Sequence, residues 1–274
     1  MPPGHFYSPL VNPADAAVLE AIQRERQPTQ TLTEVGLNEK VLVAWFARFV
    51  QAYLGNPFPA QRADGKLFYY DNPHFPLADA LTLLAFVLHF RPKRVIEVGS
   101  GFSSRAMIDI VSLHSPCDTE LTFIEPYPDT LPHGLADNPL FRERHIARRL
   151  QEVPLAVLEA LQAGDILFID SSHVARTGSD VLHYLFHIFP KLKPGVLVHI
   201  YDIFFPFEYP GAWIEEQNRS WNEAFFLRAY LEGNANWEVL FFFDWFFKCR
   251  LSLLSRNAPL CIPHRGGSFW MRKL

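Results

Sequence analysis

Four short runs, RVIEV at 94–98, LTFIE at 121–125, DILFID at 165–170 and GVLVHIYD at 195–202, carry apolar side chains at nearly every position instead of at every second one. Strands with that pattern are buried on both faces, as in a parallel sheet covered by helices. Segments of helical periodicity lie between them: SRAMIDIVSL, PLAVLEALQA and SDVLHYLFHIFPKL. Strand and helix therefore alternate, which predicts a doubly wound α/β domain. Upstream, PLADALTLLAFVLHF at 76–90 reads as a helix with Pro in its first turn, ending before Arg91-Pro92. Residues 1–74 read as an N-terminal cap of short helices joined by Pro- and Asn-containing turns, with VLVAWFARFVQAYL at 41–54 the most regular. The domain proper is then expected over 75–274. Its last third breaks the alternation: NEAFFLRAYLEG at 222–233 is helical, and WEVLFFF and GGSFWMRKL read as two strands joined by a loop alone, hence antiparallel neighbours.

Composition narrows the classes. With 49% hydrophobic and 20% charged residues among 274, the chain is globular and not disordered. A net charge of -4 lacks the basic footprint of a nucleic-acid binder. Cys117, Cys249 and Cys261 are odd in number and have no C-x-x-C spacing, so a disulfide framework and a zinc site are not expected, and a reducing cytoplasm is. No apolar run approaches the roughly 20 residues that span a bilayer, and the start has no signal-peptide pattern. A homo-oligomer is compatible with all of this. The 25 Phe supply rigid aromatic surface for the interior or for a pocket.

The chemistry-bearing residues gather at strand ends. VIEVGSGFSS places Gly99, Ser100 and Gly101 in a strand-to-helix turn where backbone comes close to a ligand. Position 104 is Ser, so the third glycine of the G-x-G-x-x-G dinucleotide fingerprint is missing. Ser103 and Ser104 suit the start of the following helix. Glu125, 24 residues after Gly101, stands where a carboxylate accepts both hydroxyls of an adenosine ribose. Glu97 lies inside an apolar strand and needs a donor or a cation, either a ligand ammonium or the loop itself. Asp170 and Asp202 end two further strands, and His173 and His199 stand three residues from them. This Asp/His group suits a general base or a hard divalent cation held through oxygen. His199, within its strand, reads as a structural histidine. DIFFPFEYPGAW contributes Phe204, Phe205, Phe207, Tyr209 and Trp213, either as core packing or as an apolar lid, with Asn222 and Glu223 as candidate lid anchors. The basic run RERHIARR at 142–149 reads as a solvated face.

Over about residues 75–274 these motifs resemble the class I S-adenosylmethionine-dependent methyltransferases. VIEVGSGFSS resembles their first motif, LTFIEPYP their ribose-binding strand end, DILFIDSSHVARTGSD and KPGVLVHIYDIFFPFEYP their fourth and fifth strands, and WEVLFFF with GGSFWMRKL their closing pair. The resemblance implies a Rossmann-like seven-stranded sheet of order 3-2-1-4-5-7-6 with strand 7 antiparallel. It also implies S-adenosylmethionine bound across Glu97, Gly99, Ser100, Gly101, Ser103, Glu125 and Asp170. Within the superfamily the chain is similar to methyltransferase-24-like proteins and, distantly, to macrocin-type O-methyltransferases and cephalosporin-hydroxylase-like proteins. Their fourth strand ends in Asp and their fifth in Asp-Asp, binding magnesium. Here the fifth ends Tyr201-Asp202, so Asp170 and Asp202 alone remain as magnesium candidates. The expected reaction is methylation of a small-molecule hydroxyl, with Asp170 or His173 taking the proton and Asp202 assisting. A nicotinamide-dependent oxidoreductase, a silent binding protein of the same fold, and a metal-dependent oxygenase or hydrolase using Asp170, His173 and Asp202 are the alternatives.

Overall fold

The computed structural model describes residues 8–10, 12, 33–114 and 119–274. The rest of the predicted cap before residue 33, and Cys117, lie outside the described residues.

Seven strands form one sheet in the order β3-β2-β1-β4-β5-β7-β6. They are β1 Arg94–Val98, β2 Glu120–Ile124, β3 His145–Ile146, β4 Ile166–Ile169, β5 Leu197–Ile200, β6 Trp237–Phe242 and β7 Phe269–Lys273. Strands β1 to β5 pair in parallel, while β7 runs antiparallel to both β5 and β6. The near-continuous apolar runs behave as their pattern dictates: β4 and β5 are buried at every residue.

The first two α-helices among the described residues are α1, Glu39–Leu54, and α2, Leu77–Phe90. Asn38 caps α1 by accepting from the Lys40 amide, and Leu42, Trp45, Phe46, Phe49 and Ala52 line one buried stripe. That stripe lies on the sheet domain itself. Trp45 stacks on Phe86 of α2 at 4.2 Å, Phe86 on Trp270 of β7 at 3.9 Å, and Phe46 on Phe246 at 4.8 Å. Part of the surplus of Phe thus joins α1 to the closing strand pair.

Two sequence expectations need correction. The segment between β6 and β7 is not a loop alone, since it holds helices Phe243–Cys249 and Leu251–Asn257. The pair is antiparallel all the same, because a short helical excursion returns the chain to the same edge. The run at 142–149 hides β3, whose two residues are too few to carry a period. Among the described residues upstream of 75, α1 is the sole α-helix, and its neighbours are a 3-10 turn at Thr33–Val35 and irregular chain.

Candidate active site

The parallel strands β1, β4 and β5 end side by side, and the chain leaves each one through a constrained turn. After β1, Gly99 adopts φ +82, and a Cβ there would collide with the carbonyl oxygen of Asp170. Only glycine allows the two strand ends to close on one another. Around Gly101 no atom lies within 4 Å of where a Cβ would stand, so space opens over the turn. Helix α3, Phe102–His114, begins directly afterwards.

Glu97 is the buried support of this turn. It is 0% exposed. Ser103 donates to it at 2.6 Å, Ser100 at 3.4 Å, and Ser104 donates as well. Burial pushes its carboxyl up to about 8, against the pull of those serine hydrogen bonds. Ser104 also accepts from the Gly101 amide at 3.0 Å, so Ser103 and Ser104 both bind the turn together. Glu125, just beyond β2, accepts the Tyr127 amide at 2.7 Å and the Ser100 amide at 3.1 Å. Each of its oxygens is thereby fixed in direction while keeping a second lone pair.

The second half of the site lies on the far side of Gly99. The Nε2 of His173 stands 3.4 Å from Asp170 Oδ1 and 3.9 Å from Asp202 Oδ2, and its Nδ1 is 2.7 Å from Glu223 Oε2. Burial opposes a charge on this imidazole, but the Glu223 carboxylate and Asp170 outweigh it and hold the ring well above its ordinary value. Burial, offset in part by His173, raises Asp202 to about 8. Both His173 (φ 57) and Asp202 (φ 55) are left-handed, a backbone cost that surrounding structure must sustain. At Asp202 the support is visible: the Gly267 carbonyl accepts the Ile203 amide at 3.0 Å, and a Cβ on Gly267 would stand 2.8 Å from the Asp202 Cα. At His173 it comes from Trp221, stacked on the ring at 4.2 Å, and from the amides of Asn222 and Glu223, which donate to the His173 carbonyl.

The expected residues therefore fall into two adjoining groups, Glu97, Gly99, Ser100, Gly101, Ser103 and Glu125 on one side and Asp170, His173 and Asp202 on the other. The aromatic segment divides. Phe205 and Phe207 pack on Phe242, and Phe207 also on Phe269. Phe204, Trp213 and Trp221 are half-buried and form a ring cluster that reaches His173 through Trp221, with the Arg219 guanidinium lying over both tryptophans at 4.3 and 4.4 Å. Asn222 and Glu223 anchor the 173–175 loop: Asn222 accepts the Ala175 amide at 2.6 Å, and Glu223 binds His173 and the Tyr184 hydroxyl. His199 is structural, fully buried, stacked on Phe168 at 3.9 Å and 3.1 Å from the Ser268 hydroxyl.

Sequence reading missed Tyr184, Trp221, Arg219, Gly267 and Asp79. Two signals were available: the Gly266-Gly267 pair directly before a strand, and Asp79 inside an otherwise apolar helix. Asp79 is fully buried, accepts the Ser268 amide at 3.0 Å, and burial raises it to about 7.

Magnesium does not suit this donor set. Tyr201, in place of the first aspartate of the pair, donates its hydroxyl to the His74 carbonyl at 2.6 Å. The His173 imidazole fills the position between Asp170 and Asp202. Among the described residues no group of three or more His, Cys, Asp or Glu is arranged to hold a metal ion.

A family model described as a methyltransferase domain matches residues 96–203, from within β1 through the Gly99 turn and Asp170 to just past Asp202. An uncharacterized protein of Archaeoglobus fulgidus is 31% identical over 189 residues, covering 64% of this chain and 81% of that protein. The chain belongs to the class I S-adenosylmethionine-dependent methyltransferase superfamily. The sheet order, with its antiparallel β7, is the one the resemblance implied for such a methyltransferase. A putative O-methyltransferase from Klebsiella pneumoniae aligns over 94% of this methyltransferase and 96% of its own chain, at 14% identity and TM-score 0.40. The O-methyltransferase TomG from Streptomyces achromogenes, in complex with SAM, aligns over 94% and 96% at 12% identity and TM-score 0.42. No helix among the described residues is long and apolar enough to cross a membrane.

Proposed function

We propose that this methyltransferase transfers the methyl group of S-adenosylmethionine to a hydroxyl of a small-molecule acceptor in the cytoplasm, without magnesium. The single observation that carries the reading is the convergence of Asp170, His173 and Asp202 beside the Gly99 turn, where acid–base groups meet the space over Gly101. The donor suits the other half of the site: Glu125 for the ribose hydroxyls, the Gly99–Gly101 turn for close backbone approach, and Glu97 with its serines to keep that turn in shape. When bound, S-adenosylmethionine supplies a sulfonium-activated methyl, so the reaction is an in-line displacement. The protein's task is then alignment and removal of one proton.

Asp170 has the most exposed side chain of the three acid–base groups, 30% against 6% for His173 and 13% for Asp202. An incoming hydroxyl meets it first, and it takes the proton as the new C–O bond forms. His173, fixed through Nδ1 by Glu223, faces both aspartates with Nε2 and holds them in register. Phe204, Trp213 and Trp221 supply the apolar wall against which an acceptor packs.

The reading is tested by following labelled methyl transfer to a panel of small hydroxyl compounds with wild-type, Asp170→Asn and His173→Ala proteins. Loss of a positioned acid–base group lowers turnover by about 100-fold or more. Full turnover in both variants would remove the assignment.

A further inference from the structure

A second site lies beside the glycine turn. The chain at 62–69, the first turn of α3 and the loop after β2 line an open pocket of about 250 Å³. Arg62, Lys66, Arg105 and His133 line it together with Tyr69, against Asp64 as the acid in its wall. Arg105 is the unusual member. It is 5% exposed, its Nη2 donates to the His133 carbonyl, its guanidinium lies 4.8 Å over the Phe102 ring, and its Nε is buried with no hydrogen-bond partner. The nearby acid Asp109 supplies part of the counter-charge, while its oxygens accept the Leu67 amide at 3.1 Å and the Phe68 amide at 2.9 Å. A buried guanidinium with a free donor, flanked by two further cations, is costly unless an anion completes it.

We propose that this pocket binds an oxyanion, a carboxylate or a phosphate, with Arg105 as the buried anchor and Arg62 and Lys66 as the outer clamp. The planar fork of an arginine matches two oxygens of either group. Location limits the source. Phe102 follows Gly101 directly, and its ring meets Tyr69 at 5.7 Å on the pocket wall and His74 at 5.7 Å. The His74 carbonyl in turn holds Tyr201, the neighbour of Asp202. Phe102 thus joins the wall of the pocket to the turn that opens the crevice. The oxyanion belongs either to the amino-acid end of the methyl donor or to an acidic group on the acceptor. That choice of source rests on the proposed function, whereas oxyanion binding itself does not.

Calorimetry of the full chain with inorganic phosphate, in a constant chloride background, tests the site. The Arg62→Gln/Lys66→Gln double variant alters rim residues and should leave the melting temperature unchanged while weakening phosphate at least tenfold. Arg105→Lys, which keeps the charge and removes the fork, should weaken it too. Equal phosphate affinity in wild type and double variant, or no binding to wild type, would overturn the proposal. A second arm compares S-adenosylhomocysteine with methylthioadenosine, which lacks the amino-acid end. If the donor carboxylate occupies the pocket, the double variant loses tenfold for the first ligand and nothing for the second, and phosphate competes with the first. If the acceptor supplies the oxyanion, both nucleosides keep their affinity and phosphate binds alongside them. Either result supports the site. Absence of binding by both nucleosides would refute the methyltransferase reading and leave the phosphate result standing.

Discussion

His173 concentrates the physical tension of the molecule in one residue. Its backbone is left-handed, its ring is buried, and it sits among Glu223, Asp170 and Asp202. Each feature alone is unfavourable. Together they make sense if the fold holds a cationic ring between acids so that their directions are fixed before a ligand arrives. Glu223 is the positioning residue in this arrangement, acting on the crevice only through the imidazole. In Glu223→Gln the carboxylate that favours the charged ring is gone, so the titration midpoint of His173, followed by NMR on its Cε1 proton, moves down. Turnover falls with it by tenfold or more. An unmoved midpoint would contradict the positioning role. Glu223 was visible in the sequence only as an anchor of an aromatic lid. The contact it makes spans 50 positions from His173, and nothing local announces a pairing at that separation.

At the scale of elements, the parallel strands were legible because burial on both faces writes itself into sequence as unbroken apolar runs. The strand-end acids were legible because a carboxylate after such a run has no reason to be there but solvent or a ligand. What stayed hidden has physical causes too. Strand β3 is two residues long, and its pairing with β2 at Phe123 and Ile124 is imposed by the neighbour. The first helix between β6 and β7, Phe243–Cys249, is aromatic-rich, so its period merges with the strand before it. The α1 stripe could be read as helical, but not that it docks through stacked rings from Trp45 to Phe86 to Trp270. That ladder ties α1 to the closing strand pair and carries much of the local stability. Phe86→Ala removes its middle ring from a fully packed position, which costs about 3–5 kcal/mol. Chemical denaturation checks the figure; a loss below about 1 kcal/mol would show that the stack can collapse around the gap.

For the whole molecule, three buried carboxyls set the response to pH. Burial raises Asp79 to about 7 and Glu97 and Asp202 to about 8. Each therefore keeps its proton in the fold at a pH where the unfolded chain has released it. Stability from this source is complete below about pH 4, the unfolded carboxyl range, and is lost as pH rises through about 7 to 8. His173, also raised, acts with the same sign. The protein should accordingly be easier to unfold at pH 8.5 than at pH 6, and Asp79→Asn, neutral at both, should flatten part of that slope. Denaturation midpoints across this range decide it; a wild type that grows more stable towards pH 8.5 would contradict these assignments.

On the reading proposed above, the open space over the Gly99–Gly101 turn, bounded by Glu125, takes the adenosine of a methyl donor. Calorimetric titration with S-adenosylhomocysteine tests it most directly. The expected result is one site per chain, binding weakened at least tenfold in Glu125→Ala, and no heat from NAD. Silence with S-adenosylhomocysteine and a clean isotherm with NAD would contradict it.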